Sequence, residues 1–176
     1  LWDTAGGRLL HRLEGHAGPV QAVVFSPDAR YALSSGNDRT VRVWNLEEGR
    51  EVRCLRGHTH VVDDVAISPD GRHALSASQD RTVRLWNWQA GEEVQNVTFP
   101  DRPYRVAYLP GGSWAVCIRD DGTASIWDVD RHEELCRLIG HRDKVWDAAV
   151  GSDGRYIVTA GVDGTVRLWQ GPQKQA

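Results

Sequence analysis

Five tryptophans, Trp2, Trp44, Trp86, Trp127 and Trp169, recur at intervals of 42, 42, 41 and 42 residues. A period in this range is the mark of a chain built from one supersecondary unit repeated and stacked, because a unit of that size cannot bury its apolar face alone. Other residues keep the same beat. Asp38, Asp80, Asp121 and Asp163 each stand six residues before a tryptophan. Gly15-His16, Gly57-His58 and Gly140-His141 are spaced by 42 and then 83 residues, so one copy is skipped. Ser26-Pro27-Asp28 returns as Ser68-Pro69-Asp70 and decays to Leu109-Pro110-Gly111 and Gly151-Ser152-Asp153.

Each unit reads as four short strands. Val20 to Phe25 is β-branched and apolar and is ended by Ser26-Pro27-Asp28. Tyr31 to Ser35 follows, and Gly36-Asn37-Asp38-Arg39 turns the chain. Thr40 to Trp44 alternates Val41 and Val43 against Arg42. After the turn at Leu46-Glu47-Glu48-Gly49, Glu51 to Leu55 completes the unit. Turn residues every eight to twelve positions with period-two alternation between them predict an all-β fold. Four strands per unit of this length is the blade of a propeller.

The combination of Gly-His, Ser-Pro-Asp-(Gly) and Asp-x-Thr-Val-Arg-Val/Leu-Trp-Asn resembles the WD-repeat family over nearly the whole chain, and its regularity is similar to that of bacterial WD-repeat arrays. The resemblance implies a single domain over residues 1–176. Its repeats lie at about 14–55, 56–98, 99–138 and 139–170, and residues 1–13 supply a strand that completes the last blade. It also implies a buried tetrad in each blade: His16, Ser34, Asp38 and Trp44; His58, Ser76, Asp80 and Trp86; His141, Thr159, Asp163 and Trp169. Physically, a buried indole N–H needs an acceptor. A hydroxyl can accept from it and donate to imidazole, whose other nitrogen donates to the aspartate, so every member is satisfied. The third repeat departs from this pattern. It keeps Asp121 and Trp127 but has Thr98-Phe99 for Gly-His and Cys117 for the hydroxyl. The prediction there is a blade held by packing rather than by the full network, and the least rigid of the four.

A His, Ser and Asp set invites a hydrolase reading, but catalysis needs one solvent-reachable nucleophile with an oxyanion site. A set repeated three times in register with a tryptophan beside it reads as architecture. No nucleophile elbow, phosphate loop or His-Glu-x-x-His is present. His58-Thr59-His60 is the nearest approach to a metal motif, and His58 already belongs to a tetrad. His132-Glu133-Glu134 reads as a solvated turn. No metal or other cofactor is predicted.

In the family, partners sit most often on the narrow face of the ring. The resemblance maps that face onto Gln21, Asp63, Tyr104 and Trp146, with Pro19, Val61, Arg102 and Lys144 two residues earlier. Asn37, Gln79, Asp120 and Val162 come from the turn before each conserved aspartate. Tyr104, Trp146 and Arg102 are of the types that dominate binding hot spots. The function implied is a non-catalytic scaffold for a protein or peptide partner. The alternative is a regulatory or sensory module of a larger bacterial signalling enzyme, a kinase or an NTPase.

Composition narrows the classes further. The formal net charge is −3, without the basic excess of a nucleic-acid binder. No apolar run approaches the roughly 20 residues that span a bilayer, and the N-terminus does not read as a signal peptide. Cys54, Cys117 and Cys136 lack the pairing or spacing of a disulfide framework or a zinc site, which suits reduced thiols in the cytoplasm. The absence of methionine means that Leu1 is not an unprocessed start. Four blades alone would need a wide wedge angle and leave costly gaps. Three ways of closing are open: one chain as four blades, two chains as eight, or further blades in sequence beyond this segment. The favoured prediction is an eight-bladed ring closed by two chains, a homodimer with a two-fold symmetric face.

Overall fold

The computed structural model describes residues 1–172, and among these it contains strands and no helix. A short hairpin, β1 (Trp2–Asp3) and β2 (Arg8–Leu9), opens the chain. The first blade is β3 (Val20–Phe25), β4 (Tyr31–Gly36), β5 (Thr40–Asn45) and β6 (Arg50–Arg56). The second is β7 (Val62–Ile67), β8 (Ala74–Ser78), β9 (Thr82–Asn87) and β10 (Glu92–Thr98). The third is β11 (Pro103–Tyr108), β12 (Trp114–Arg119), β13 (Ala124–Asp128) and β14 (Glu133–Leu138). The fourth has three strands, β15 (Val145–Val150), β16 (Tyr156–Gly161) and β17 (Val166–Gln170). Every sheet is an antiparallel meander in chain order.

Turn chemistry sets these strands. The Ser26 hydroxyl donates to Asp28 and accepts the Tyr31 N–H at 3.0 Å, closing the turn between β3 and β4. Ser68, Asp70 and His73 repeat the arrangement between β7 and β8. Between β4 and β5, Asp38 accepts from both the N–H and the hydroxyl of Thr40. That turn needs a left-handed residue, which is Arg39 at φ 67° in the first blade and Gly122 at φ 82° in the third.

The blades stack through the faces of their sheets, with the inner strands β3, β7, β11 and β15 side by side. Leu33, Val41 and Val43 of the first blade pack on Val62, Val65 and Trp86 of the second. The alternation of strand residues puts apolar side chains on both faces of a blade, as an element sandwiched between two neighbours requires. Val41, Val83 and Ala124 stand at one repeat position and are at most 9 % exposed. Val166 holds that position in the fourth blade and is 73 % exposed. At the other end Val23 is 68 % exposed, where Val65 is 4 %.

The four blades form an open arc, and no ring is closed among the described residues. Residues 1–13 do not lie in the fourth blade. β2 pairs with β1 in the register that β6 keeps with β5 one repeat later, Trp2 opposite Leu9 as Trp44 is opposite Glu51. Leu1 and Leu13 pack on Ala32, Trp44 and Leu46 of the first blade. The sequence-based expectation fails within a single chain because the hairpin stays against the blade it precedes, at the far end of the arc.

Leu33→Ala should cost about 2–5 kcal/mol, since Leu33 is fully buried between two blades. Val166→Ala at the open face should change the isolated chain by less than about 0.5 kcal/mol. Urea unfolding of the two variants measures both.

Candidate functional site

Three tetrads are assembled by the same strands in each blade. Trp44 Nε1–H donates to Ser34 Oγ at 2.8 Å, Ser34 Oγ bonds His16 Nε2 at 2.7 Å, and His16 Nδ1 bonds Asp38 at 2.9 Å. Trp86, Ser76, His58 and Asp80 repeat this at 2.8, 2.7 and 2.8 Å. Trp169, Thr159, His141 and Asp163 do so at 2.8, 2.8 and 3.0 Å. Each aspartate also accepts a backbone N–H, from Ala17, Thr59 or Arg142, which fastens the loop entering the blade.

The protonation states follow from these bonds. Burial drives the His58 imidazole below its ordinary value, towards the neutral form. Burial opposes ionisation of Asp80, but bonds from Thr82, the Thr59 N–H and His58 outweigh it and bring the carboxyl to about 2. A neutral imidazole accepting at Nε2 and donating at Nδ1 to a carboxylate satisfies every atom. Each of these hydroxyls is engaged on both sides, accepting from the indole and bonding the imidazole. Ser76 is fully buried. Ser34 is 4 % exposed although an open cleft lined by Arg12, Leu13, Val20 and Val23 lies beside it.

The third blade does not carry the full tetrad, and a different polar lock stands in its place. Trp127 Nε1–H donates to Ser125 Oγ at 3.0 Å, on its own strand. Arg119, 1 % exposed, donates to Thr123 Oγ1 at 2.8 Å and to Glu134 Oε2 at 3.0 Å. Its guanidinium lies over Phe99, 5.5 Å from the ring centroid. In the first two blades the equivalent glutamates, Glu51 and Glu93, are held by Arg42 and Arg84. Ser125 replaces that arginine, and Arg119 supplies the charge from the neighbouring strand. Asp121 bonds Thr123 instead of a histidine. The signal in the sequence was Arg119, which stands where Gly36 and Gly161 do, together with Ser125 in place of arginine.

The rim residues are placed by a device that strand alternation does not reveal. Gln21, Asp63, Tyr104 and Trp146 are the extra residues of β-bulges at the start of β3, β7, β11 and β15. A bulge breaks the alternation locally and re-aims a side chain. Gln79 donates to Asp63 at 3.1 Å, and Arg102 grips Asp63 through two bonds of 3.0 and 2.7 Å. Asp120 lies 3.7 Å from Arg102 and 4.0 Å from Lys144. One polar chain thus crosses three blades. In the first blade Gln21 bonds Asn37. Tyr104 is half-buried with its hydroxyl unpartnered, and burial, then the charge of Asp120, pushes it up to about 12. Trp146 is 62 % exposed. Among the described residues no three His, Cys, Asp or Glu side chains converge on a metal position.

Blades of four antiparallel strands, tied through an indole, a hydroxyl, an imidazole and a carboxylate, define a β-propeller array. The chain belongs to the WD domain, G-beta repeat family, which matches residues 7–45, 49–87 and 132–170, well over half of it. The stretch left unmatched contains most of the divergent third blade. WD repeat-containing protein 37 of Xenopus laevis is 28 % identical over 169 residues, covering 96 % of this chain and 34 % of that protein. Transcription initiation factor TFIID subunit 5 of Caenorhabditis elegans is 30 % identical over 175 residues, covering 96 % and 26 %. The chain spans about a third of the length of these relatives or less.

Ser76→Ala strands the Trp86 indole and one nitrogen of His58 and should cost about 2–4 kcal/mol. Ser125→Ala strands only an indole and should cost about 1–2 kcal/mol. Equilibrium denaturation compares them directly.

Proposed function

We propose that this chain is a non-catalytic scaffold that binds a protein or peptide partner at the rim carrying the four bulges. The observation that carries this reading is Trp146. It is 62 % exposed at a bulge, beside Lys144, at the end of the polar chain that runs from Gln79 to Asp120. A large rigid aromatic offers much contact area at low cost in conformational entropy. Arg102 orders the rim rather than reaching for a partner, because both of its bonds to Asp63 are internal. Each tetrad serine is engaged by its neighbours, which supports a structural rather than a chemical role. No helix among the described residues is long and apolar enough to cross a membrane. Three free cysteines favour the cytoplasm, and a net charge of −3 disfavours nucleic acid. The relatives named above are animal proteins, which lends no weight to the bacterial-enzyme alternative.

The open faces of the first and fourth blades support ring closure by blades of the same kind. Val166 and Leu168 present the surface that Val41 and Val43 offer to the second blade, and Val20 and Val23 present its complement. A second copy covers both faces at once and gives an eight-bladed ring with two-fold symmetry. The faces, rather than an exchange of residues 8–13, carry this reading. Leu9 stands where Glu51 stands one repeat later and could not pair with Arg167.

Trp146→Ala should leave the unfolding midpoint unchanged and weaken binding of a partner selected from a peptide library at least tenfold. Loss of stability, or unaltered affinity for every selected peptide, would count against the rim. Light scattering over a concentration series should give a mass near twice 19.6 kDa that persists on dilution. A monomer would sink closure by a second copy and leave the faces to further blades of a longer chain.

A further inference from the structure

One position of the inner strands, directly after each bulge, changes its chemistry from blade to blade. It is Ala22 in β3, Asp64 in β7, Arg105 in β11 and Asp147 in β15. Arg105 and Asp147 are exposed, whereas Asp64 is 8 % exposed. A carboxylate at that depth has lost most of its water and needs donors to replace it. Across the blade boundary it accepts the Val106 N–H at 3.0 Å, and the Val65 N–H on its own strand helps to hold the charge.

These donors do not balance the burial. Arg105 Nη1 lies 3.7 Å from Asp64 Oδ1, beyond hydrogen-bond reach, and Arg105 Nε lies 3.8 Å from Asp147 Oδ1. One guanidinium is therefore shared between two carboxylates. The charged groups facing Asp64 are Arg105 from β11 and Asp147 from β15. β3 brings Gln21 and Ala22, β8 brings Ala77 and Ser78, and β12 brings Val116 and Ile118, none of which titrates. On β7 itself Asp63 is turned to the rim, where Arg102 holds it. The cavity beside Asp64 is small, about 80 Å³, and its walls are mainly Val106, Ala107, Val116, Ile118 and Ala148, so little solvent screens the charge. Burial outweighs the bonds from Val106, Arg105 and Val65 and pushes the carboxyl up to about 6.

We propose that Asp64 is a proton-operated latch between the second and third blades, tight when the carboxyl is neutral and loosened when it ionises. Opening the junction returns the carboxylate to water, where its ordinary value is 3.8. Its affinity for a proton is thus higher in the closed junction than in the open one. The stability it adds is fully present below about pH 4, falls as the pH rises through about 6, and is lost above that. The response is confined to one junction. Ala22 and Arg105 hold the same position where the first blade meets the second and the third meets the fourth, and neither buries a carboxylate there. The latch lies directly beneath the rim, since Asp63 and Arg102 join the same two blades. It acts whether or not a partner binds there.

Two NMR measurements on the full chain test this. A carboxyl carbon titration should place the Asp64 midpoint near 6. Arg105→Gln removes the shared cation and should move that midpoint up, and Asp147→Asn removes a like charge and should move it down. Amide hydrogen exchange, corrected for intrinsic rates, should show the protection of Val106 rising about tenfold between pH 7 and pH 5, with Leu33 of the first blade changing much less. Asp64→Asn keeps an acceptor for the Val106 N–H but cannot titrate, and its protection should be level over that range. Should that variant fail to fold, the carboxyl titration and the exchange of the unaltered chain decide. A midpoint near the ordinary 3.8 would overturn the proposal. So would protection of Val106 that is level between pH 7 and pH 5, an equal rise at Leu33, or the same pH response in Asp64→Asn.

Discussion

Each regular blade is organised around one buried hydroxyl. Ser34, Ser76 and Thr159 accept an indole N–H and bond an imidazole, joining the second strand to the third and to the loop ahead of the first. The aspartate beyond the imidazole holds both that loop and the turn between the middle strands. A buried network of this type stabilises only when every member is satisfied, because an unpaired polar atom in a low-dielectric interior costs more than a bond returns. That condition explains why the four residue types recur together and why the blade tolerates variation around them.

The third blade shows what the chain does when the set is broken. With phenylalanine for histidine and cysteine for serine, the indole turns to Ser125 on its own strand. The space near the lost imidazole is taken by Arg119, which lies over Phe99 and binds Glu134. A buried arginine is tolerable only with its charge paired and its N–H groups used, and Thr123 and Glu134 meet both needs. The same blade also has Val129 where the second has Trp88, and a narrow cleft lined by Val97 and Val129 lies at its interface with the second blade. Divergence of one repeat therefore changed a polar lock and an interface together, while the strand order stayed the same.

Packing and recognition use different parts of each blade. The repeat position of Val83 is covered where a neighbouring blade exists and bare at Val166 where none does. The rim is set by bulges at the start of the inner strands, and there Asp63 and Arg102 tie adjacent blades. A second link between blades is made by Asp64, whose carboxylate accepts the Val106 N–H at 3.0 Å. Burial pushes Asp64 up to about 6, so its charge is costly there and Arg105 lies within 3.7 Å to offset it.

The spacing of tryptophan, aspartate and Gly-His determined the number of blades, their strands and the members of three tetrads. These depend on local alternation and on polar groups that must be satisfied within one repeat. The sequence also marked the third repeat as different, through Phe99 and Cys117. The tertiary structure decided what replaced the lost network, since Arg119, Ser125 and Glu134 meet only when three strands pair. It decided that Gln21, Asp63, Tyr104 and Trp146 occupy bulges, a backbone irregularity that no residue type announces. It also kept residues 1–13 against the first blade and left the arc open, because chain ends are placed by which surfaces meet in space, and a repeat period carries no information about that.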